Sequence, residues 1–294
     1  MTGNWLTIRT GDGRDLEVLR SGRSDAFPLV YHSGSPTAAH EHPAMEQAAG
    51  SQGWQVVTFS RPGYAGSTPA EGRSVADVAA DVTAVLDQLG LDRFVTLGWS
   101  GGGPHALATA ALLPDRCLAA ATLAGVAPYD ADGLDWFDGM GPENLEEFGA
   151  AVESREALET FLHPVAAGLA AVTGEQVAAE LGGLIDEVDE SALTGDFADV
   201  VADAFRRAVS AGIAGWRDDD LAFVRPWGFD LADLRVPVSV WQGAHDRMVP
   251  FAHGTWLAAH MPGARVHLYD DEGHLSLVAQ LPRILADLAD LADQ

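Results

Sequence analysis

The sequence predicts an α/β protein: a mostly parallel sheet flanked by helices, its order broken by one long helical insertion. Three observations carry this expectation. Short runs rich in β-branched and aromatic residues alternate with helical periodicity over residues 1–126. The same alternation resumes over 227–294, and between the two, over 127–226, helical periodicity runs without a convincing strand. Strands separated by helices at this spacing form βαβ units and therefore pair in parallel. The expected division is a core of 1–126 and 227–294 carrying a helical domain of 127–226.

Each element has its own signal. Leu6-Thr-Ile-Arg9 and Leu16-Glu-Val-Leu-Arg20 flank a turn at Asp12-Gly13 and read as a hairpin. Pro28 to His32, Gln55 to Phe59 and Phe94 to Gly98 are continuous apolar-leaning runs, as expected of strands buried on both faces. From Ser74 to Leu89, apolar residues at 75, 78, 79, 82, 85, 86 and 89 follow helical spacing, and Ser74 with Asp77 resembles a capping pair. Leu118 to Ala124 is the next strand. Within the insertion, Phe197, Val200, Val201, Ala204, Phe205, Ala208 and Val209 form one amphipathic stripe. A strand at Val236 to Trp241, a helix at Phe251 to His260, a strand at Ala264 to Tyr269 and a helix from Leu277 to Leu291 complete the pattern.

Composition removes several classes of function. A chain of 294 residues at 47% hydrophobic content buries about three quarters of its unfolded surface without a staple. One cysteine, Cys117, excludes an intramolecular disulfide framework and a cysteine-based zinc cluster. No apolar run reaches the ~18 residues of a membrane span, and the first residues lack a basic flank followed by an apolar stretch, so a cytoplasmic protein is expected. The formal charge is −26, with 43 acids against 17 bases, and no basic run exists to hold nucleic acid or anionic lipid. The expected partner is a small molecule. Coding bias or a salty cytoplasm accounts for the acid excess, with a cationic substrate as the sharper alternative.

Gly98-Trp99-Ser100-Gly101-Gly102 lies between a strand ending at Leu97 and a helix-like segment beyond His105. This is the G-x-S-x-G arrangement of a nucleophile elbow, in which a sharp corner lifts a serine oxygen above a sheet. Three more segments follow the same logic at strand ends: His32-Ser-Gly-Ser-Pro36, Ser60-Arg-Pro-Gly-Tyr-Ala-Gly-Ser67, and Gly243-Ala-His-Asp246-Arg-Met-Val-Pro250 together with Gly273-His274. In this order they resemble the oxyanion loop, the Arg-x-Gly-x-Gly-x-Ser loop, and the acid and histidine loops of the α/β-hydrolase superfamily. The resemblance covers nearly the whole chain outside the insertion. It implies the α/β-hydrolase fold, with an eight-stranded, mostly parallel sheet and a helical cap.

A serine hydroxyl needs a base within reach and a third group to orient that base. The family order implies Ser100 as nucleophile, Asp246 as acid and His274 as base, with Asp270 and Asp271 the rival carboxylates. His105, His163, His245, His253, His260 and His267 lack that context and read as structural or surface residues. The oxyanion hole is expected from the backbone N–H groups of Gly101 and of Ser35 or Gly34, since Ser33 replaces the histidine that usually precedes the glycine. Serine at the elbow, where epoxide-opening and dehalogenating relatives carry aspartate, points to acyl transfer with no metal or organic cofactor.

Residues 127–226 resemble the cap of many relatives, and Trp136, Phe137, Met140, Phe161, Trp216, Phe223 and Trp227 are candidates to line a pocket beneath it, with Trp99 beside the serine. Glu143, Glu146, Glu147 and Glu153 read as a solvated helix face, or as a reader of a substrate amine. The resulting expectation is a serine hydrolase of a small ester or related acyl compound. The alternatives are an aminopeptidase or amidase, a carbon–carbon bond hydrolase, a cofactor-free perhydrolase, and a slow-turnover ligand-binding protein.

Overall fold

The computed structural model describes residues 3–261 and 263–294. Eight strands form a single sheet: β1 (Asn4–Arg9), β2 (Asp15–Ser21), β3 (Phe27–His32), β4 (Trp54–Phe59), β5 (Phe94–Trp99), β6 (Cys117–Leu123), β7 (Val238–Gly243) and β8 (Arg265–Tyr269). Their order is β1-β2-β4-β3-β5-β6-β7-β8. Only β2 runs against its neighbours, β1 and β4; the remaining pairs are parallel. The chain passes from β3 out to β4 and then back across to β5, so the winding reverses between β3 and β5. At such a reversal the crevice beyond the strands' carboxyl ends is where open α/β sheets hold ligands.

Helices cover both faces. On one side lie α1 (Pro43–Ser51) and α11 (Leu281–Ala292), which pack Met45, Ala48, Ile284, Leu285 and Leu288 onto Leu29, Val95, Leu97 and Ala121. On the other lie α2 (Val78–Leu89), α3 (Gly102–Leu112) and α10 (Phe251–His260), with Val82, Leu86, Leu107 and Leu257 against Val30, Val57, Ala120 and Val240. The helix expected from Ser74 opens as a 3₁₀ turn over Val75–Asp77, where the Ser74 N–H donates to Asp77 Oδ2 at 2.7 Å. The last helix is likewise preceded by a 3₁₀ turn, Ser276–Gln280. Sequence periodicity did not reveal α1, because its buried face is only Met45, Ala48 and Ala49.

Between β6 and β7 come six helices: α4 (Pro142–Glu153), α5 (Arg155–Leu169), α6 (Val177–Leu181), α7 (Glu187–Ala192), α8 (Gly195–Ala208) and α9 (Ala214–Phe223). Leu158, Leu162, Leu169, Val209, Ile213 and Trp216 give this insertion an apolar cluster of its own, which also takes in Ala38 and Tyr64 from the loops above the sheet. No helix is long and apolar enough to cross a membrane among the described residues.

Candidate active site

β5 ends in the elbow, and the turn there is as sharp as its composition suggests. Ser100 sits at φ 56°, a left-handed conformation that costs a residue with a side chain roughly 1–3 kcal/mol. Two hydrogen bonds hold it: the Ser100 N–H donates to Leu123 O on β6, and the Gly103 N–H donates to Ser100 O, each at 2.8 Å. The flanking glycines are needed for space. A Cβ on Gly98 would lie 2.1 Å from Gly102 O, and one on Gly102 would lie 2.0 Å from His32 O.

The loops after β7 and β8 meet beside the elbow. His274 Nδ1 lies 2.8 Å from Asp246 Oδ2, and both residues are buried. Asp246 is held in turn: Oδ1 accepts from the N–H groups of Met248 and Val249 at 2.9 and 2.7 Å, and Oδ2 from Gln242 Nε2 at 2.9 Å. Asp270 and Asp271, the rivals in sequence, make no contact with the imidazole among the described hydrogen bonds. Burial alone would depress the His274 pKa, but the Asp246 carboxylate outweighs it and holds the imidazole above its ordinary value. The other buried histidines move the opposite way. Burial drives His42 and His105 down to about 3 and His253 to about 4, and lowers His32 and His40 as well. With Nδ1 engaged by Asp246, the Nε2 lone pair of His274 is the free one. Ser100 and His274 line one cavity, although no hydrogen bond joins them among the described residues.

The loop after β3 also reaches this cavity, through Gly34 and Ser35. The N–H groups of Gly34, Ser35 and Gly101 donate no hydrogen bond to protein among the described residues. Their loop is tied from behind. Arg61, from the loop after β4, donates Nη1 to Ser33 O at 2.6 Å and Nη2 to Gly34 O at 2.7 Å. The same guanidinium pairs with Asp219 of α9, Nη2 to Oδ2 at 2.6 Å. Arg73, Tyr64 and Ser35 add hydrogen bonds to Asp219 at 2.6, 2.8 and 3.1 Å. Burial would raise the Asp219 pKa, but Arg61 and Arg73 outweigh it and hold the carboxyl far below its usual range.

The cavity between sheet and insertion has a volume of about 550 Å³. Of the expected pocket residues, Trp99, Met140, Phe161, Trp216 and Phe223 line it, whereas Trp136, Phe137 and Trp227 do not. Trp136 instead packs edge-on against Tyr129, Phe137 and Phe148, with its Nε1–H donated to Ala127 O at 2.8 Å. Phe137 joins the same aromatic stack, so both rings spend their apolar surface on packing. The stripe of α8 turns its Phe197, Val200, Val201, Ala204 and Phe205 to the cavity.

The expected solvated face of α4 needs a second correction. Glu146 and Glu153 are exposed, but Glu147 is buried, accepts from Trp216 Nε1 at 2.6 Å and lies against Asp220. Burial holds both carboxyls above the usual range, and at Asp220 the neighbouring Glu147 adds to the rise. Glu143, Glu146, Glu147 and Glu180 line the cavity, with no arginine among its described lining residues. Sequence reasoning missed Asp189, Asp219 and Asp220. The one available signal was Arg61, an arginine inside a glycine-rich loop at a strand end that needs a buried counter-charge. Among the described residues no group of three or more His, Cys, Asp or Glu side chains is arranged to hold a metal ion.

Comparison with known proteins agrees with this architecture. The chain is 30% identical over 227 residues, 76% of its length, to the pimeloyl-(acyl-carrier protein) methyl ester esterase of Aromatoleum aromaticum, covering 81% of that protein. It is 29% identical over 248 residues to the non-heme chloroperoxidase of Streptomyces lividans, covering 84% of each. The bromoperoxidase structure from Bacillus anthracis superposes with a TM-score of 0.71 over 98% of this chain and 99% of that one, at 20% identity. Residues 28–279 match the family described as alpha/beta hydrolase fold. The reversal of strand order, the elbow after β5 and this match together make the chain a member of the α/β-hydrolase family.

Proposed function

We propose that the protein is a capped serine hydrolase that cleaves a small, predominantly apolar ester through an acyl-enzyme on Ser100. The observation that carries this reading is that His274, paired with the buried Asp246 at 2.8 Å, lines the same cavity as Ser100. His274 Nε2 takes the proton as Ser100 Oγ attacks the ester carbonyl, and the N–H groups of Gly101 and of Ser35 or Gly34 receive the oxyanion. Arg61 draws back the carbonyls of both Ser33 and Gly34, which aims the N–H groups of the same two peptides, Gly34 and Ser35, the other way and leaves either able to serve beside Gly101. The imidazolium then protonates the departing alkoxide. Water attacks the acyl-enzyme, gives its proton to His274, and Ser100 recovers that proton as the acid is released. Asp246 keeps the working tautomer and stabilises the imidazolium. Substrate binding tightens the hydrogen bond between nucleophile and base. The insertion acts as the cap, and Phe197, Phe205, Phe223 and Trp216 supply the apolar wall for the acyl chain.

Ser100→Ala tests the reading directly. It is expected to abolish hydrolysis of p-nitrophenyl butyrate and labelling by a fluorophosphonate while leaving the melting curve unchanged. Parental turnover in that variant would refute it.

A second reading, hydrolysis of an aminoacyl ester or amide, is favoured by Glu147, whose buried carboxyl borders the cavity and suits an ammonium group. Faster turnover of an alanyl than of a butyryl ester, lost in Glu147→Gln, separates it from the first.

A further inference from the structure

Asp189 belongs to α7 of the insertion and is completely enclosed. Its two oxygens accept N–H groups from three consecutive residues on the loop after β8: Oδ2 from His274 at 2.9 Å, and Oδ1 from Leu275 at 2.8 Å and Ser276 at 3.0 Å. Those N–H groups open the 3₁₀ turn Ser276–Gln280, so the carboxylate does for this turn what a capping residue does for a helix. A local residue normally supplies such a cap. Here it comes from 85 positions earlier in the chain, from the insertion. The loop is shaped to admit it: a Cβ on Gly273 would lie 2.4 Å from Asp189 Oδ1 and 2.6 Å from its Cγ.

We propose that Asp189 is a positioning residue for the base, holding the backbone of His274 where its ring can address Ser100 while Asp246 fixes the ring's other edge. The proposal rests on the assignment of His274 as base. It makes α7 part of the reaction centre as well as of its roof, because the N–H groups of His274, Leu275 and Ser276 are satisfied by a residue of the insertion. The charged groups facing the imidazole are Asp246, from the loop after β7, and Asp189 itself. A base displaced by even 1 Å costs on the order of 10²-fold in rate.

The test is Asp189→Asn in the full chain, a change of near-identical shape that puts an NH₂ group among N–H donors. With p-nitrophenyl butyrate, kcat is expected to fall at least about tenfold with little change in KM. The midpoint of the pH–rate profile is expected to move down, one of two carboxylates near the imidazolium having been neutralised. Gly273→Ala presses on the same carboxylate from the other side and is expected to lower kcat without neutralising it. Titration of His274 by NMR in the Ser100→Ala background reads the midpoint without turnover, and it is expected to be lower when Asp189→Asn is added. Parental kcat and midpoint in a folded Asp189→Asn variant would overturn the proposal; should that variant not fold, parental kcat in Gly273→Ala would do so. Parental turnover in Ser100→Ala alone sinks the hydrolase reading instead, and the NMR midpoint then still decides where Asp189 acts.

Discussion

Removing the Asp219 carboxylate should uncouple the insertion from the oxyanion loop, at a cost that the structure allows to be bounded. Asp219→Ala leaves Arg61 and Arg73 without their shared counter-charge in a site where the side chains of Arg61, Arg73 and Asp219 are 2%, 5% and 0% exposed. Breaking one partner out of such a pair costs about 3–5 kcal/mol, because the survivors stay buried and uncompensated. At roughly 2–4 °C per kcal/mol for domains somewhat smaller than this one, the melting temperature should fall by roughly 6–20 °C. The pH dependence follows from the direction of the shift. A carboxyl held below its unfolded value of about 3.9 contributes stability that is present above that value and lost as pH falls through the folded one. The gap between parent and variant should therefore be constant from pH 8 to pH 5 and close only in acid. Calorimetry at several pH values measures both features. Because Arg61 also holds Ser33 O and Gly34 O, kcat at 25 °C should fall by about 10²-fold in the folded fraction, the scale of losing one oxyanion donor. A melting temperature within about 2 °C of the parent, under 1 kcal/mol, together with parental kcat, would refute the reasoning.

Other outcomes test the centre and the cavity. Asp246 holds His274 above its ordinary pKa, so kcat/KM should rise with pH through a midpoint above about 6.5; a midpoint at or below that value contradicts the pairing. Asp246→Asn leaves burial as the dominant influence, so the midpoint should drop and kcat fall by about 10⁴-fold. Four glutamates and no arginine line the cavity among its described residues, and a carboxylate held about 8 Å from one ionised glutamate loses about 2 kcal/mol at an effective dielectric of 20. A succinate half-ester should therefore react at least about tenfold more slowly than the matching butyrate, and equal rates in kcat/KM would argue against the acidic lining.

Local chemistry explains which parts could be read from sequence. The strands were legible because β3 to β7 are short, mostly apolar runs buried on both faces, and α2 because its apolar residues repeat over three turns. α1 was not, since alanines mark a buried face only faintly. The elbow, the acid loop and the histidine loop were legible because each is a contiguous string at the end of a strand. Asp219 was hidden for the opposite reason: its partners Arg61 and Arg73 lie 158 and 146 positions away, and in the string Arg217-Asp-Asp-Asp220 it resembles a solvated face. Aromatic residues of the insertion posed the same difficulty. Nothing local distinguishes Trp136, which spends its ring on neighbouring rings, from Trp216, which turns to the cavity.

The apolar stripe of α8 has a guest-facing side where most amphipathic helices have only a core-facing one. Phe197, Val200, Val201, Ala204 and Phe205 border empty volume, so trimming them enlarges a void that already exists and forfeits fewer contacts than the same change beneath the sheet. A directed library confined to Val200 and Ala204, which belong to no apolar cluster among the described residues, can thus reshape the cavity while leaving foldedness nearly intact, whereas Phe197, Val201 and Phe205 also pack against the core. Recognition and robustness thus share three side chains of this helix and part company only at the other two.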